Sequence, residues 1–178
     1  MKLVTTAVGR KGPEDVRRNE ERLRAAELAL EKAAKLGADL IVLPGGFFIA
    51  RSSRTRDAIA DSLVSKAKRL GIAVVFGVDQ EVKKPSIDWE REIRDGKLPF
   101  YGYAWSPSED VMHCWNQRST NSRNQWDVEE ERCKEVRLLK VGDETLGVLM
   151  CGEIFNQRIR NALAKHSSRP KSSSMWRI

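Results

Sequence analysis

Three absences narrow the chain before any motif is considered. No apolar run approaches the length of a membrane span. The opening stretch Met1-Lys2-Leu3-Val4-Thr5-Thr6-Ala7-Val8 meets Gly9-Arg10-Lys11 before reaching the apolar length of a secretion signal, so it reads as a first strand. Cysteines are few: Cys114, Cys133 and Cys151 are an odd number at wide spacing with no Cys-x-x-Cys pair, which argues against a disulfide framework and a structural zinc site. That usage fits a reducing cytosol, and a cytoplasmic protein is expected. His113 and His166 have no metal-spaced partners, and neither a metal nor a cofactor is expected. Acidic residues are missing from Lys165 onward, so Lys165, Arg169, Lys171 and Arg177 carry four of the seven net positive charges. Elsewhere Lys and Arg interleave with Glu and Asp, the pattern of solvated helix faces, and a nucleic-acid partner is a minor reading that would use the tail with Arg51, Arg54 and Arg56.

What remains is 178 residues, 40% hydrophobic and 32% charged, the profile of one soluble domain with a real core. Val16, Leu23, Ala26, Leu30 and Ala33 recur at helical spacing after Gly12-Pro13-Glu14-Asp15, predicting a helix that ends at Gly37. Leu40-Ile41-Val42-Leu43 is an unbroken apolar strand stopped by Pro44-Gly45-Gly46. Phe47 to Arg56 reads as a loop, about 55–70 as a second helix closed by Gly71, and 72–78 as a third buried strand. The β, α, β, α, β order predicts a parallel sheet. Asp79 to Pro99 reads as a polar excursion, after which 100–105 and 111–115 predict an antiparallel hairpin, and 136–141 with 145–150 a second one. A last helix capped by Asn156 turns Ile159, Ala162 and Leu163 inward, and residues 166–178 read as a disordered, basic, serine-rich tail.

The stretch Thr145-Leu146-Gly147-Val148-Leu149-Met150-Cys151-Gly152-Glu153 combines an apolar run with an abrupt cysteine, glycine and acid. Read as strand, sharp turn and helix, it places Cys151 at a strand's carboxyl end, where α/β sheets hold ligands, and makes its thiol a nucleophile candidate beside a helix's positive end. A small buried core cysteine is the structural alternative.

The layout resembles the carbon-nitrogen hydrolase superfamily of nitrilases and aliphatic amidases. Asn19 in a long first helix, Ala34 to Pro44 as Ala-Lys-Leu-Gly-Ala-Asp-Leu-Ile-Val-Leu-Pro, Leu70-Gly71-Ile72 leading to Phe76-Gly77, Cys151-Gly152-Glu153 and the helix after it match in order over residues 1–165. The resemblance implies an αββα sandwich, partial in this chain, with a mixed sheet whose N-terminal half is parallel. It also implies a Glu, Lys, Cys catalytic set that cleaves a small amide or nitrile through a cysteine acyl-enzyme. The chain departs from that set. Gly45 stands where the family's glutamate follows the strand-end proline, and Gln117 or Arg118 stands where its lysine follows an aromatic strand. Cys151, Arg118 and Glu153 are therefore the candidate catalytic residues, with His113, Glu129, Glu130 and Glu131 as other substitutes for the base. Family members continue past the helix after the cysteine, so a truncated or diverged chain that covers its exposed face by forming a homo-oligomer is expected. A catalytically inactive binding protein built on the same cleft is the alternative to an enzyme.

Overall fold

The computed structural model describes residues 1–6, 18–81, 98–119 and 129–167. The proposed helix start at Gly12-Pro13, most of the 79–99 excursion and residues 168–178 of the expected tail lie outside the described residues.

The main sheet runs β1 (Leu3–Thr5), β2 (Leu40–Val42), β4 (Ala73–Gln80), β5 (Phe100–Trp105) and β6 (His113–Asn116) in spatial order. β1, β2 and β4 are parallel, whereas β4 with β5 and β5 with β6 are antiparallel. The change of direction at β5 follows the change from unbroken aliphatic runs to aromatic-rich segments joined by a short loop. Between the strands lie α1 (Asn19–Lys35) and α2 (Ser53–Leu70). Ser52 Oγ caps α2 by accepting from the Thr55 amide at 3.2 Å, and Gly71 closes it at a φ of 65°, a left-handed conformation that glycine adopts without a Cβ clash.

Strand alternation gives the sheet two differently covered faces. Ile41, Val74, Phe76, Val78, Tyr103 and Trp105 pack beneath the two helices, against Leu30, Ile59, Leu63 and Ala67 among others. The opposite face, with Leu40, Ala73 and Ala104, is covered by Leu139 and Val141 of a second, two-stranded sheet. That sheet pairs β7 (Leu138–Val141) with β8 (Glu144–Gly147). Outside it lies α4 (Gln157–Ser167), whose Leu163 side chain fills the space above Gly147; a Cβ there would meet it at 2.6 Å. α3 (Glu130–Lys134) lies against α4. Helices, sheet, hairpin and helix thus form the four layers of a partial αββα sandwich.

Two segments differ from the sequence reading. The span 47–56 is not all loop: Phe48–Ala50 forms β3, parallel to the carboxyl half of β4, while β2 pairs with the amino half. Backbone pairing with a strand already in place outweighs the turn signals of Pro44-Gly45-Gly46, and Asn19 reinforces it by donating to the Ile49 carbonyl at 2.6 Å and accepting from the Ile49 amide at 3.3 Å. The run 145–150 is not one strand either. β8 stops at Gly147; Val148 still donates its amide to the Arg137 carbonyl at 2.9 Å, and Val148 and Leu149 pack inward.

Ion pairs join α2 to α1 and to the loop after β5. Lys66 of α2 donates to Glu31 of α1, and Lys68 lies 2.8 Å from Asp110. The Lys66 hydrogen bond and charge hold the Glu31 carboxyl below its ordinary range, as those of Lys68 and the Trp105 indole do for Asp110. A carboxylate whose folded pKa is depressed contributes stability above its unfolded value and loses it as pH falls through the folded one. Denaturant midpoints measured from pH 6 down to pH 2 should therefore fall less steeply for Glu31→Gln and Asp110→Asn than for the parent chain; identical acid limbs would refute this.

Candidate active site

The interruption between β2 and β3 opens the site. Leu43 still donates its amide to the Val75 carbonyl at 2.8 Å, and the strand pairing with β4 then lapses until β3. Close approach is retained only because β4 carries glycine there: a Cβ on Gly77 would come within 3.1 Å of Gly45 Cα. A cavity of about 690 Å³ lies alongside. Gly45 and Gly46 line it from the interruption, Val75, Gly77 and Asp79 from β4, and residues 100–103 from β5. Trp115 and Gln117 at the end of β6 and residues 148–151 complete the lining.

Cys151 therefore opens onto a cavity and is exposed, not a core residue. Its φ of 36° is in the left-handed region that non-glycine residues avoid at a cost on the order of 1–3 kcal/mol, so its surroundings must hold it there. No long helix starts at the thiol. Residues Cys151–Phe155 form one 3₁₀ turn, and α4 begins only after Asn156, whose Oδ1 accepts from the Arg158 and Ile159 amides at 3.0 and 3.2 Å. The Asn156 cap is as expected, but the helix dipole acts one turn away from the cysteine. Before it, Met150 lays its thioether over Gly102, where a Cβ would stand 2.8 Å from the sulfur.

The restraint on the turn is the Glu153 side chain, which is completely buried. Its Oε1 accepts from the Arg118 amide at 2.8 Å, Arg118 Nε at 3.0 Å and Arg137 Nη1 at 3.1 Å. Its Oε2 accepts from Arg118 Nη2 at 3.1 Å and from the Met150 amide at 3.2 Å. Five donors saturate the lone pairs of one carboxylate. Arg118, 1% exposed, also donates to the Arg132 and Glu135 carbonyls, and Arg137 to the Asn116 carbonyl. Burial and the like charge of Arg118 push the Arg137 guanidinium below its ordinary range while Glu153 opposes them, burial being the largest influence.

Of the three residues singled out from the sequence, Cys151 faces the cavity, whereas Arg118 and Glu153 are brought together behind it and do not line it. Gln117 lines it, with its Nε2 donating to the Ser119 carbonyl at 2.6 Å. The other substitute bases stand elsewhere. His113 is 3.1 Å from Glu109 and stacks on Trp115, Glu130 and Glu131 pair with Lys134, and Glu129 is exposed on the same short helix end. Arg51 and Arg56 lie by Glu81 and Asp57 respectively, which neutralises part of the basic patch considered for nucleic acid. Asp79, the one carboxylate among the described lining residues, went unnoticed in the sequence. Period-two spacing from Val75 and Gly77 places it on their face, but only the sheet's position shows that this face borders a cavity. Among the described residues no group of His, Cys, Asp and Glu could hold a metal ion, and no helix is long and apolar enough to cross a membrane.

Comparison with known proteins agrees with this architecture. No protein-family model matches the sequence, and no curated protein matches it significantly. Solved structures do. An amidase from Nesterenkonia sp. AN1 aligns with 83% of this chain at a TM-score of 0.59 and 16% identity, and the chain spans 57% of that protein. A cysteine-to-serine mutant of that amidase, described as a member of the nitrilase superfamily, aligns at the same TM-score and identity, with 56% of it spanned. So does a glutamate variant, at a TM-score of 0.58 and 16% identity over 83% of this chain and 56% of that one, which carries the acetamide moiety of fluoroacetamide covalently added at its active-site cysteine. The fold is that of the nitrilase-superfamily amidases.

If Glu153 anchors the turn, Glu153→Gln should lower stability by about 3–5 kcal/mol, because two buried guanidiniums lose their shared anion. Urea unfolding measures this, and a loss under 1 kcal/mol would mean that the pairs contribute little.

Proposed function

We propose that the protein is a carbon-nitrogen hydrolase acting on a small amide or nitrile, with Cys151 as nucleophile. The observation that carries this reading is the exposed Cys151 thiol, held at a left-handed backbone position on the wall of an otherwise largely apolar cavity. The amidase fold of its structural neighbours supports it.

In the proposed reaction the thiol gives up its proton and its sulfur attacks the carbonyl carbon, moving the C=O π pair onto oxygen. Collapse of that adduct expels ammonia or an amine, which takes a proton as it leaves, and a thioester remains. Water then adds to the thioester, releasing the carboxylic acid and restoring the thiol. We assign Asp79, directly or through a water molecule, as the group that takes the proton, since it is the carboxylate among the described cavity residues. The second Nε2 hydrogen of Gln117 is a neutral donor for the developing oxyanion. Arg118 and Glu153 act as positioning residues, keeping the cysteine turn in place without touching substrate. Gly45 supplies no carboxylate where the resemblance implies one, and that favours a second reading: a binding protein without turnover that uses the same cavity.

Release of ammonia from simple amides decides between them. Cys151→Ala should abolish it with the far-ultraviolet circular dichroism unchanged, and Asp79→Asn should lower kcat about 10²- to 10⁴-fold. A parent chain with no turnover on any amide or nitrile, and a Cys151 no more readily alkylated than Cys114, would establish the binding reading. A Cβ on Gly45 meets nothing within 4 Å, so Gly45→Glu has room to place a second carboxylate at the cavity. It should raise the alkylation rate of Cys151 at pH 7 relative to the parent, measured peptide by peptide by mass spectrometry.

A further inference from the structure

We propose that this cavity selects amides or nitriles whose acyl group is bulky, apolar and free of negative charge, an aromatic acid amide being the representative ligand. The proposal rests on the hydrolase reading above and adds the substrate class to it.

The first observation is electrostatic. The chain carries a net charge of +7, yet no Lys, Arg or His is found among the described residues that line the cavity, and Asp79 is their one charged side chain. The nearest guanidiniums are already engaged. Arg118 and Arg137 lie behind the wall on Glu153, and Arg56 sits 4.0 Å from the centre of the Tyr101 ring with Asp57 and Gln80 as its partners. Among the described residues, a substrate carboxylate entering the cavity would lose water without gaining a counter-ion, which is costly beside apolar walls.

The second observation is shape. Phe100, Trp115 and Met150 present broad apolar surfaces, while Gly45 leaves its share of the wall without a side chain. A volume of about 690 Å³ lies within the 300–1,000 Å³ typical of sites for drug-sized ligands, and acetamide would leave most of it unfilled. Aromatic walls beside the open space at Gly45 suit a ring, which gains dispersion contacts against them.

The test uses the full chain with Cys151→Ser, so that binding is measured without acylation. Isothermal titration compares phenylacetamide, acetamide and the ring-carboxylated analogue 4-(carbamoylmethyl)benzoate. Phenylacetamide should bind at least tenfold more tightly than either of the others, since removing a ring's apolar area from water is worth more than that factor. Gly45→Leu in the same background should weaken phenylacetamide at least tenfold with the circular dichroism unchanged, because its side chain would enter space that is now open. Equal or tighter binding of the carboxylate, acetamide binding as tight as phenylacetamide, or no binding of phenylacetamide would each overturn the proposal. Turnover by the parent chain separates the two readings. Tight binding of phenylacetamide without ammonia release overturns hydrolysis and leaves the selectivity standing, whereas faster kcat/KM on acetamide than on phenylacetamide overturns the selectivity alone.

Discussion

One buried carboxylate holds this site together. Glu153 receives five hydrogen bonds from Arg118, Arg137 and the Met150 amide, and these three come from the end of β6, the start of β7 and the cysteine turn. Both sheets therefore meet at a single anion. Such an arrangement adds little net stability over an apolar plug of similar size, because taking the charges out of water offsets their attraction. It supplies geometry instead. With the turn clamped from inside, Cys151 can keep a backbone conformation that an isolated peptide would abandon.

The cavity exists because a strand is interrupted. β2 and β3 lie along the same neighbour, β4, and the residues between them leave the ladder where Gly77 permits the backbone of Gly45 to come close. An unbroken strand would have filled this space with side chains. Gly102 does the same on β5, making room for the Met150 thioether and so for the cysteine after it. Glycines at three positions, on three separate segments, shape the volume more than any polar residue does.

The distribution of charge around that volume is unusual for a chain of this composition. Arg56, Arg118 and Arg137 are close at hand, yet each is paired outside the lining, and the carboxylate of Glu153 is occupied in turn. Among the described residues, those that line the cavity offer a thiol, an amide, one carboxylate and much apolar surface.

Hydrophobic periodicity together with turn and capping residues was sufficient to mark both long helices, the parallel strands β2 and β4, the two hairpins and the Asn156 cap, since these depend on local spacing and on side chains a few residues apart. The candidate cysteine was equally legible, as an apolar run broken by Cys151-Gly152-Glu153. Its environment was not. That Glu153 points away from the thiol and into two arginines, that β3 rejoins the sheet after Pro44-Gly45-Gly46, and that Asp79 borders the cavity all depend on partners 16 residues away or more, across layers that only packing brings together. Spacing along a chain reports which face a residue takes; what stands opposite that face is decided by the packed molecule.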